Sequence, residues 1–138
     1  MKRVIHDRVL EVRDDRGAFL FAVESESEQE TLHYKLTGAF QNETTFEFAD
    51  EVMAALSVCM RAACDPTVDR RFAYKNLIFD LLGITYISNA TLQAFLGFQN
   101  VINRINGAHM MLLNPSAPVL AQIKDTRFEE LLDFRTIV

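Results

Sequence analysis

The middle of the chain carries a short apolar run at residues 76–81, with the sequence NLIFDL. Helical patterns flank the run on both sides, so it is typical of a central strand that is buried on both faces. Residues 83–87 (GITYI) lead from it to Ser88 and Asn89, two residues that favour the N-cap of a helix. The run therefore predicts a strand that is followed directly by a helix.

Downstream of the run, the pattern predicts a helix, a strand and a short second helix. The first helix ends at Asn106 and Gly107, and the strand covers residues 108–113. Ser116 then caps the short helix, and residues 131–134 return the chain towards the core. The apolar stripe of the first helix consists of Leu92, Phe95, Phe98, Ile102 and Ile105.

Upstream of the run, one long helix is predicted. Thr44 or Thr45 can cap it, and Glu47 in its first turn meets the positive end of the helix dipole. Asp65 and Pro66 end the helix, because the residue before a proline avoids the helical region. Its apolar stripe consists of Phe48, Val52, Leu56, Cys59 and Ala63.

The N-terminal part of the chain is typical of three strands, at residues 9–12, 18–23 and 32–36. Residues 14–17 (DDRG) form a good turn between the first two. Residues 24–30 (ESESEQE) contain no apolar side chain, which predicts a solvated loop or, alternatively, an acidic docking loop. The order of elements predicts an α/β fold with a mixed central sheet, helices packed on it, and an antiparallel edge from the N-terminal hairpin.

The composition restricts the classes of function. The chain of 138 residues is 49% hydrophobic and 24% charged, which fits a single globular domain. The net charge of −5 disfavours nucleic acid as a partner, because binding to it depends on neutralising phosphates. No apolar run approaches the roughly 20 residues that span a bilayer, and no signal peptide is recognisable, so we expect a cytoplasmic protein without membrane insertion.

Metal, cofactor and catalytic motifs are missing from the sequence. Cys59 and Cys64 lie five apart, which matches no zinc or redox spacing, and we expect reduced, buried thiols. The three histidines, His6, His33 and His109, fall on separate predicted elements. There is no glycine-rich phosphate loop and no nucleophile elbow. We therefore expect no catalytic residue, no metal, no cofactor and no enzyme activity.

Four phenylalanines present more aromatic area than a small core easily accommodates. We expect some of them to form a patch for a partner or for self-association into a homo-oligomer. They are Phe40, Phe46, Phe95 and Phe98.

Three motifs, in this order and spacing, resemble the STAS domain family of anti-sigma-factor antagonists. The first is residues 36–38 (LTG) before the first helix, and the second is residues 77–81 (LIFDL) followed by residues 83–87. The third is residues 112–116 (LLNPS) before the short helix with Val119 and Leu120. The resemblance covers residues 18–134, which implies one STAS-like domain over residues 1–138, with residues 1–17 as an N-terminal strand extension.

The functional hallmark of this family is Asp-Ser-Ser-Gly after the central strand, where a cognate kinase phosphorylates the second Ser. The aligned residues here are Ser88, Asn89, Ala90 and Thr91, so all four positions depart from the motif. Ala90 has no hydroxyl and cannot accept a phosphate. Thr91 and Ser88 could substitute for it as phosphoacceptors, or they could serve as helix caps.

The resemblance also implies how the chain functions. Unphosphorylated antagonists bind the anti-sigma kinase, so this chain is expected to be fixed in a binding-competent form. The expected partner is an anti-sigma or serine kinase, a phosphatase or a larger signalling assembly. The alternative is a STAS module that binds a small molecule or lipid, such as an accessory subunit of a lipid transporter. We expect the partner-binding patch to consist of Ser88, Asn89, Ala90, Thr91 and Gln93.

Asp80 matches an acidic residue that is common in the family at the end of the central strand. We expect its carboxylate to accept hydrogen bonds from the loop before Ser88. A role in ligand binding is the alternative, because open α/β sheets bind ligands outside the carboxyl ends of their strands.

Overall fold

The sheet is built around strand β5, which spans Asn76–Ile87 in the computed structural model. The structure describes the backbone of residues 2–6 and 9–137 and the side chains of residues 9–137. Leu77, Phe79 and Leu81 of β5 are buried, as the apolar run predicts. Ile78 and Asp80 are only half-buried, so the prediction of burial on both faces is wrong.

Seven strands lie side by side in chain order, and the first four are antiparallel while β4 to β7 are parallel. The mixed sheet with an N-terminal hairpin is thus confirmed. The division of the chain into an extension and a core stays a prediction. The other strands are β1 (Lys2–His6), β2 (Val9–Arg13), β3 (Phe19–Glu28), β4 (Thr31–Phe40), β6 (His109–Leu113) and β7 (Phe134–Arg135).

Four helices pack on one face of the sheet. They are α1 (Thr45–Cys64), α2 (Asn89–Ile102), α3 (Ala117–Ile123) and α4 (Arg127–Leu131). Because β4 to β7 are consecutive neighbours, successive right-handed crossovers place every connecting helix on the same side. Within the described part of the chain, no helix is long and apolar enough to cross a membrane.

Phenylalanine rings fill the space between the helices and the sheet. The Phe79 ring centroid lies 5.0 Å from that of Phe95 and 5.8 Å from that of Phe98. Phe48 of α1 contacts both helix α2 rings at 5.5 Å. Such pairs each contribute about 0.5–1.5 kcal/mol beyond the area that they bury. Of the four phenylalanines expected at a surface patch, Phe40, Phe95 and Phe98 are therefore core residues, and only Phe46 is exposed.

The acidic segment at residues 24–30 is not a loop, which corrects the prediction. Strand β3 continues through it to Glu28, and only Gln29 and Glu30 form the turn to β4. Pairing with β4 explains the difference, because Ser25 lies opposite Tyr34 and Ser27 opposite Leu32. The polar end of β3 is therefore stabilised as a strand by its pairing with β4 and not by its own side chains.

Three predicted capping hydroxyls bond elsewhere. Thr44 and Thr45 both donate to the Gln41 carbonyl, at 3.1 Å each, rather than accepting from the first turn of α1. Ser116 donates to the Ile84 carbonyl at 2.7 Å and thereby joins the start of α3 to β5. These hydroxyls fix connections between elements, which local sequence does not reveal.

The C-terminal end of α1 differs from prediction in two side chains. Ala62 is fully buried, and Ala63, which was expected in the stripe, is half-buried and packs against the core. Cys59 is buried and donates through Sγ to the Tyr74 carbonyl at 3.4 Å. Cys64 is the last residue of the helix and is exposed, so the expectation of two buried thiols is wrong.

Candidate functional site

The candidate site lies where α2 begins, at the carboxyl ends of the parallel strands β4 and β5. Strand β5 ends at Ile87, and the Ser88 N–H donates to the Phe40 carbonyl at the end of β4 (2.8 Å). This bond aligns the two strand ends. The first turn of α2 is thereby placed beside the first turn of α1.

Ser88 is the N-cap of α2, as predicted. Its backbone is extended, with φ −87° and ψ 161°, and its Oγ accepts from the Thr91 N–H at 3.1 Å. Replacing an N-cap serine by alanine typically costs about 1 kcal/mol. The Ser88 side chain is only 2% exposed.

Thr91 completes a buried cluster of hydroxyls. Its Oγ1 lies 2.9 Å from Ser88 Oγ, donates to the Phe40 carbonyl at 3.3 Å, and lies 3.4 Å from Thr45 Oγ1 at the start of α1. Thr91 has no exposed surface. The cluster therefore ties together β4, α1, β5 and α2 at one point.

Burial separates the five residues of the predicted patch into two groups. Ser88 and Thr91 face the interior, so a partner on the surface cannot touch them in this conformation. Asn89 and Gln93 are exposed and Ala90 is half-buried. These three alone are available for binding.

Asn89 also links α2 to α3. Its Oδ1 accepts from Gln122 Nε2 at 2.9 Å, so the surface around Asn89 continues onto α3. The sequence did not predict this contact, because a hydrogen bond between two carboxamides that lie 33 residues apart leaves no periodic pattern in the sequence.

A surface depression of about 340 Å³ lies next to the site and is lined by Gln41, Asn42, Glu43 and Tyr86. Three of these residues belong to the connection between β4 and α1, and Tyr86 is the exposed residue before the end of β5. None was selected from the sequence. The one feature of the sequence that could have indicated this depression is the aromatic residue Tyr86, two positions before the N-cap Ser88.

Asp80 does not lie at the end of β5, and the expectation that it bonds a loop before Ser88 is wrong. The strand continues to Ile87, and the Asp80 carboxylate accepts from the Leu82 N–H at 3.0 Å. Strand β6 pairs with β5 only as far as Asp80, opposite Leu113. The carboxylate thus accepts a backbone N–H of β5 just beyond the point where pairing with β6 ends, and Asp80 lies at the irregularity where the β4–β5 register shifts.

The start of α2 carries no charge. Residues 85–93 (TYISNATLQ) contain no ionisable group except Tyr86, and the first turn of α2 has no acidic residue to face its dipole. Among the described residues, no group of three His, Cys, Asp or Glu side chains could hold a metal ion. The start of α2 is therefore a neutral, polar surface.

Structural comparison identifies the fold. Over 84% of its length the chain is similar to the anti-sigma factor antagonist SpoIIAA in its unphosphorylated form, with a TM-score of 0.62, 14% identity and 88% of that chain covered. SpoIIAA of Bacillus is similar in its phosphorylated form as well. A putative anti-sigma factor antagonist from Thermotoga maritima matches over 84% of this chain and 87% of its own, with a TM-score of 0.65 and 11% identity. The predicted STAS fold is confirmed.

A further similarity is to SLC26A9, with a TM-score of 0.54 and 17% identity. It covers 71% of this chain but only 16% of that protein. No protein-family model and no curated protein matches the sequence.

Proposed function

We propose that this chain is a non-enzymatic regulatory domain that binds a protein partner through the surface at the start of α2. The surface comprises Asn89, Ala90 and Gln93, and it is not switched by phosphorylation at position 90. The proposed partner is an anti-sigma or serine kinase, a phosphatase or a larger signalling assembly.

One observation carries the proposal. The fold is similar to that of an antagonist known in phosphorylated and unphosphorylated forms. At the start of α2, where the sequence resemblance aligns the phosphorylated serine with Ala90, the neighbouring hydroxyls are buried. Ala90 has none, and the hydroxyls of Ser88 and Thr91 are buried and hydrogen-bonded to each other. A kinase would have to unfold this turn to reach either one.

The neutral surface also supports a constitutive binding role. A phosphate at a helix N-terminus adds nearly two negative charges, which can repel an acidic partner or occupy its contact surface. Ala90 keeps the small, uncharged surface of the unmodified state. The chain then acts as a fixed, binding-competent domain.

Small-molecule or lipid binding is the second candidate, and the structure favours it less. Three of the four residues that line the depression beside the site carry amide or carboxylate groups and only Tyr86 is aromatic, whereas most small-ligand pockets are lined predominantly by apolar residues. The similarity to a small part of SLC26A9 concerns the fold alone.

The direct test is Ala90→Glu, with Ala54→Glu as the matched control. Ala54 is exposed on α1, so both variants add the same charge to a helix surface. The tagged chain is purified from its native cell, its partner is identified by mass spectrometry, and affinities are measured by calorimetry. We expect Ala90→Glu to weaken binding about tenfold or more, because the partner must desolvate an unmatched charge. Equal affinities of the two folded variants would overturn the proposal.

Phosphate mapping on the natively purified chain gives an independent check. We expect no phosphate on Ser88 or Thr91. Stoichiometric phosphate on either would show that the switch has moved by one or two residues and has not been lost.

A further inference from the structure

Among the described residues, no helix packs on the face of the sheet opposite α1 to α4. In β2 to β6 the buried residues alternate with residues that point away from the helix layer, and these we call the outer face. The register places them in rows across the sheet. One row runs Val9, Glu24, Lys35, Asp80 and Leu113, and the next runs Glu26, His33, Ile78 and Met111.

A bare face is unusual for parallel strands. Parallel sheets normally carry helices on both faces, whereas antiparallel sheets often leave one face to solvent. Here β4, β5 and β6 are parallel, and all the described helices contribute to the single core on the inner face. In the part of the chain that the structure describes, the parallel half of the sheet therefore has helices on one face only.

The outer face of β5 and β6 carries a small apolar cluster, flanked by the polar residues Asn76, Asp80 and His109. Ile78, Met111 and Leu113 lie at positions where a solvated strand would carry polar side chains, and all three are half-buried. They are neighbours, because Ile78 pairs with Met111 and Leu113 follows two positions later on the same face. Together they form an apolar strip.

The outer face is acidic along β3. Glu24, Glu26 and Glu28 are exposed at alternate positions, and none forms an ion pair with another described side chain. Glu11 of β2 is already paired with Arg13. Lys35, between Glu24 and Asp80, is outnumbered by the carboxylates around it. We call Glu24, Glu26 and Glu28 the acidic strip.

We propose that the outer face binds an amphipathic, basic helix of a partner protein. The helix would lay its apolar side on the strip of Ile78, Met111 and Leu113 and place Lys or Arg side chains over the acidic strip. Strands are about 4.8 Å apart, so β3 lies about 10 Å from β5 and about 14 Å from β6. A helix with its side chains is about 10–12 Å wide, which matches this separation.

Charge distinguishes this occupant from a second copy of the chain. Two outer faces packed together would bring two acidic strips into one interface, where like charges repel. A basic helix supplies the opposite charge as well as a helical layer on this face. The inference does not rest on the proposed function at the start of α2, since it uses different residues.

The experiment uses the full chain and a synthetic peptide of about 18 residues, long enough to be helical, with a leucine stripe flanked by lysines. A second peptide keeps the stripe and replaces lysine by glutamate. Binding is followed by amide chemical shifts of the ¹⁵N-labelled chain. We expect the lysine peptide to shift amides of β3, β5 and β6, and the glutamate peptide not to bind.

The decisive variant is Glu24→Lys with Glu26→Lys, and its matched control is Glu129→Lys with Glu130→Lys on α4. All four positions are exposed, so both double variants should fold. We expect the β3 variant to bind the lysine peptide about tenfold or more weakly than the unmodified chain does, and the α4 control to bind it with an affinity within about twofold of the unmodified chain. Any of three results would overturn the proposal. The two double variants could bind the lysine peptide equally well, the peptide could shift only amides of the helices, or the chain could sediment as a dimer that the β3 variant abolishes.

Discussion

Adjacent substitutions in the first turn of α2 should have opposite effects on stability. Thr91→Glu puts a carboxylate into the buried hydroxyl cluster, whereas Ala90→Glu puts the same group on a half-buried position one residue earlier. Local sequence barely distinguishes the two sites. The structure separates them by burial.

The cost at Thr91 has three parts. The variant loses the hydroxyl contacts to Ser88 and to the Phe40 carbonyl, each worth about 1 kcal/mol. The new carboxylate faces that carbonyl oxygen without a donor, and an unpaired buried charge costs about 3 kcal/mol or more. We therefore expect a loss of at least about 5 kcal/mol. Ala90→Glu should gain about 0.3–1 kcal/mol, because no acidic residue now faces the dipole of α2.

Urea unfolding followed by circular dichroism measures both effects. With a slope of about 1–3 kcal/mol per molar urea, Thr91→Glu should lower the midpoint by about 1.7–5 M, or prevent folding. Ala90→Glu should leave the midpoint unchanged or raise it by up to about 1 M. Thr91→Ser is the control that keeps the hydroxyl. If Thr91→Glu were as stable as Ala90→Glu, the hydroxyl cluster would not be buried in solution and the reasoning would be refuted.

Two further predictions concern the scaffold. Gly38→Ala should lower the free energy of unfolding by at least about 2 kcal/mol, because Gly38 has φ +100° and a Cβ there would lie 2.4 Å from the Leu20 carbonyl oxygen. Its control, Gly97→Ala in α2, has open space around the new Cβ and should raise the free energy of unfolding by up to about 1 kcal/mol. If Gly38→Ala were the more stable of the two variants, the described contact between β3 and β4 would be contradicted. Burial first, and then Glu51, raise the pKa of Tyr34 well above its ordinary value of 10.0. The native state keeps this proton above pH 10 while the unfolded state loses it, so stability should fall as pH rises beyond about 10, and Tyr34→Phe should remove that part of the loss in pH-dependent urea unfolding.

The elements with strong periodicity could be predicted from sequence. The stripe of α2 and the cap at Ser88 follow local rules, since apolar spacing and an N-cap serine act within one or two turns. The end of α1 at Asp65 follows from the proline after it. These signals carry their cause within a few residues.

The parts that could not be predicted depend on distant partners. Sequence alone predicts that a threonine in the first turn of a helix is exposed. Thr91 is buried instead, because its hydroxyl bonds to the carbonyl of Phe40, 51 residues away. Strand β3 runs on to Glu28 because β4 pairs with it. Asp80 is interior to β5 because the strand bulges and continues beyond the end of β6. In each case the deciding contact is made across the sheet.

The two proposed surfaces both rest on β5 but lie at different places along it. The apolar strip includes Ile78 near the start of the strand, whereas the binding surface of α2 begins beyond its end at Ile87. Strand β5 is paired with β4 from Asn76 to Ile87, so a partner at either surface meets a base that is already ordered. Because the two surfaces share no residue and neither needs the other to form, the chain can present both at once, and binding at one should leave the affinity of the other unchanged.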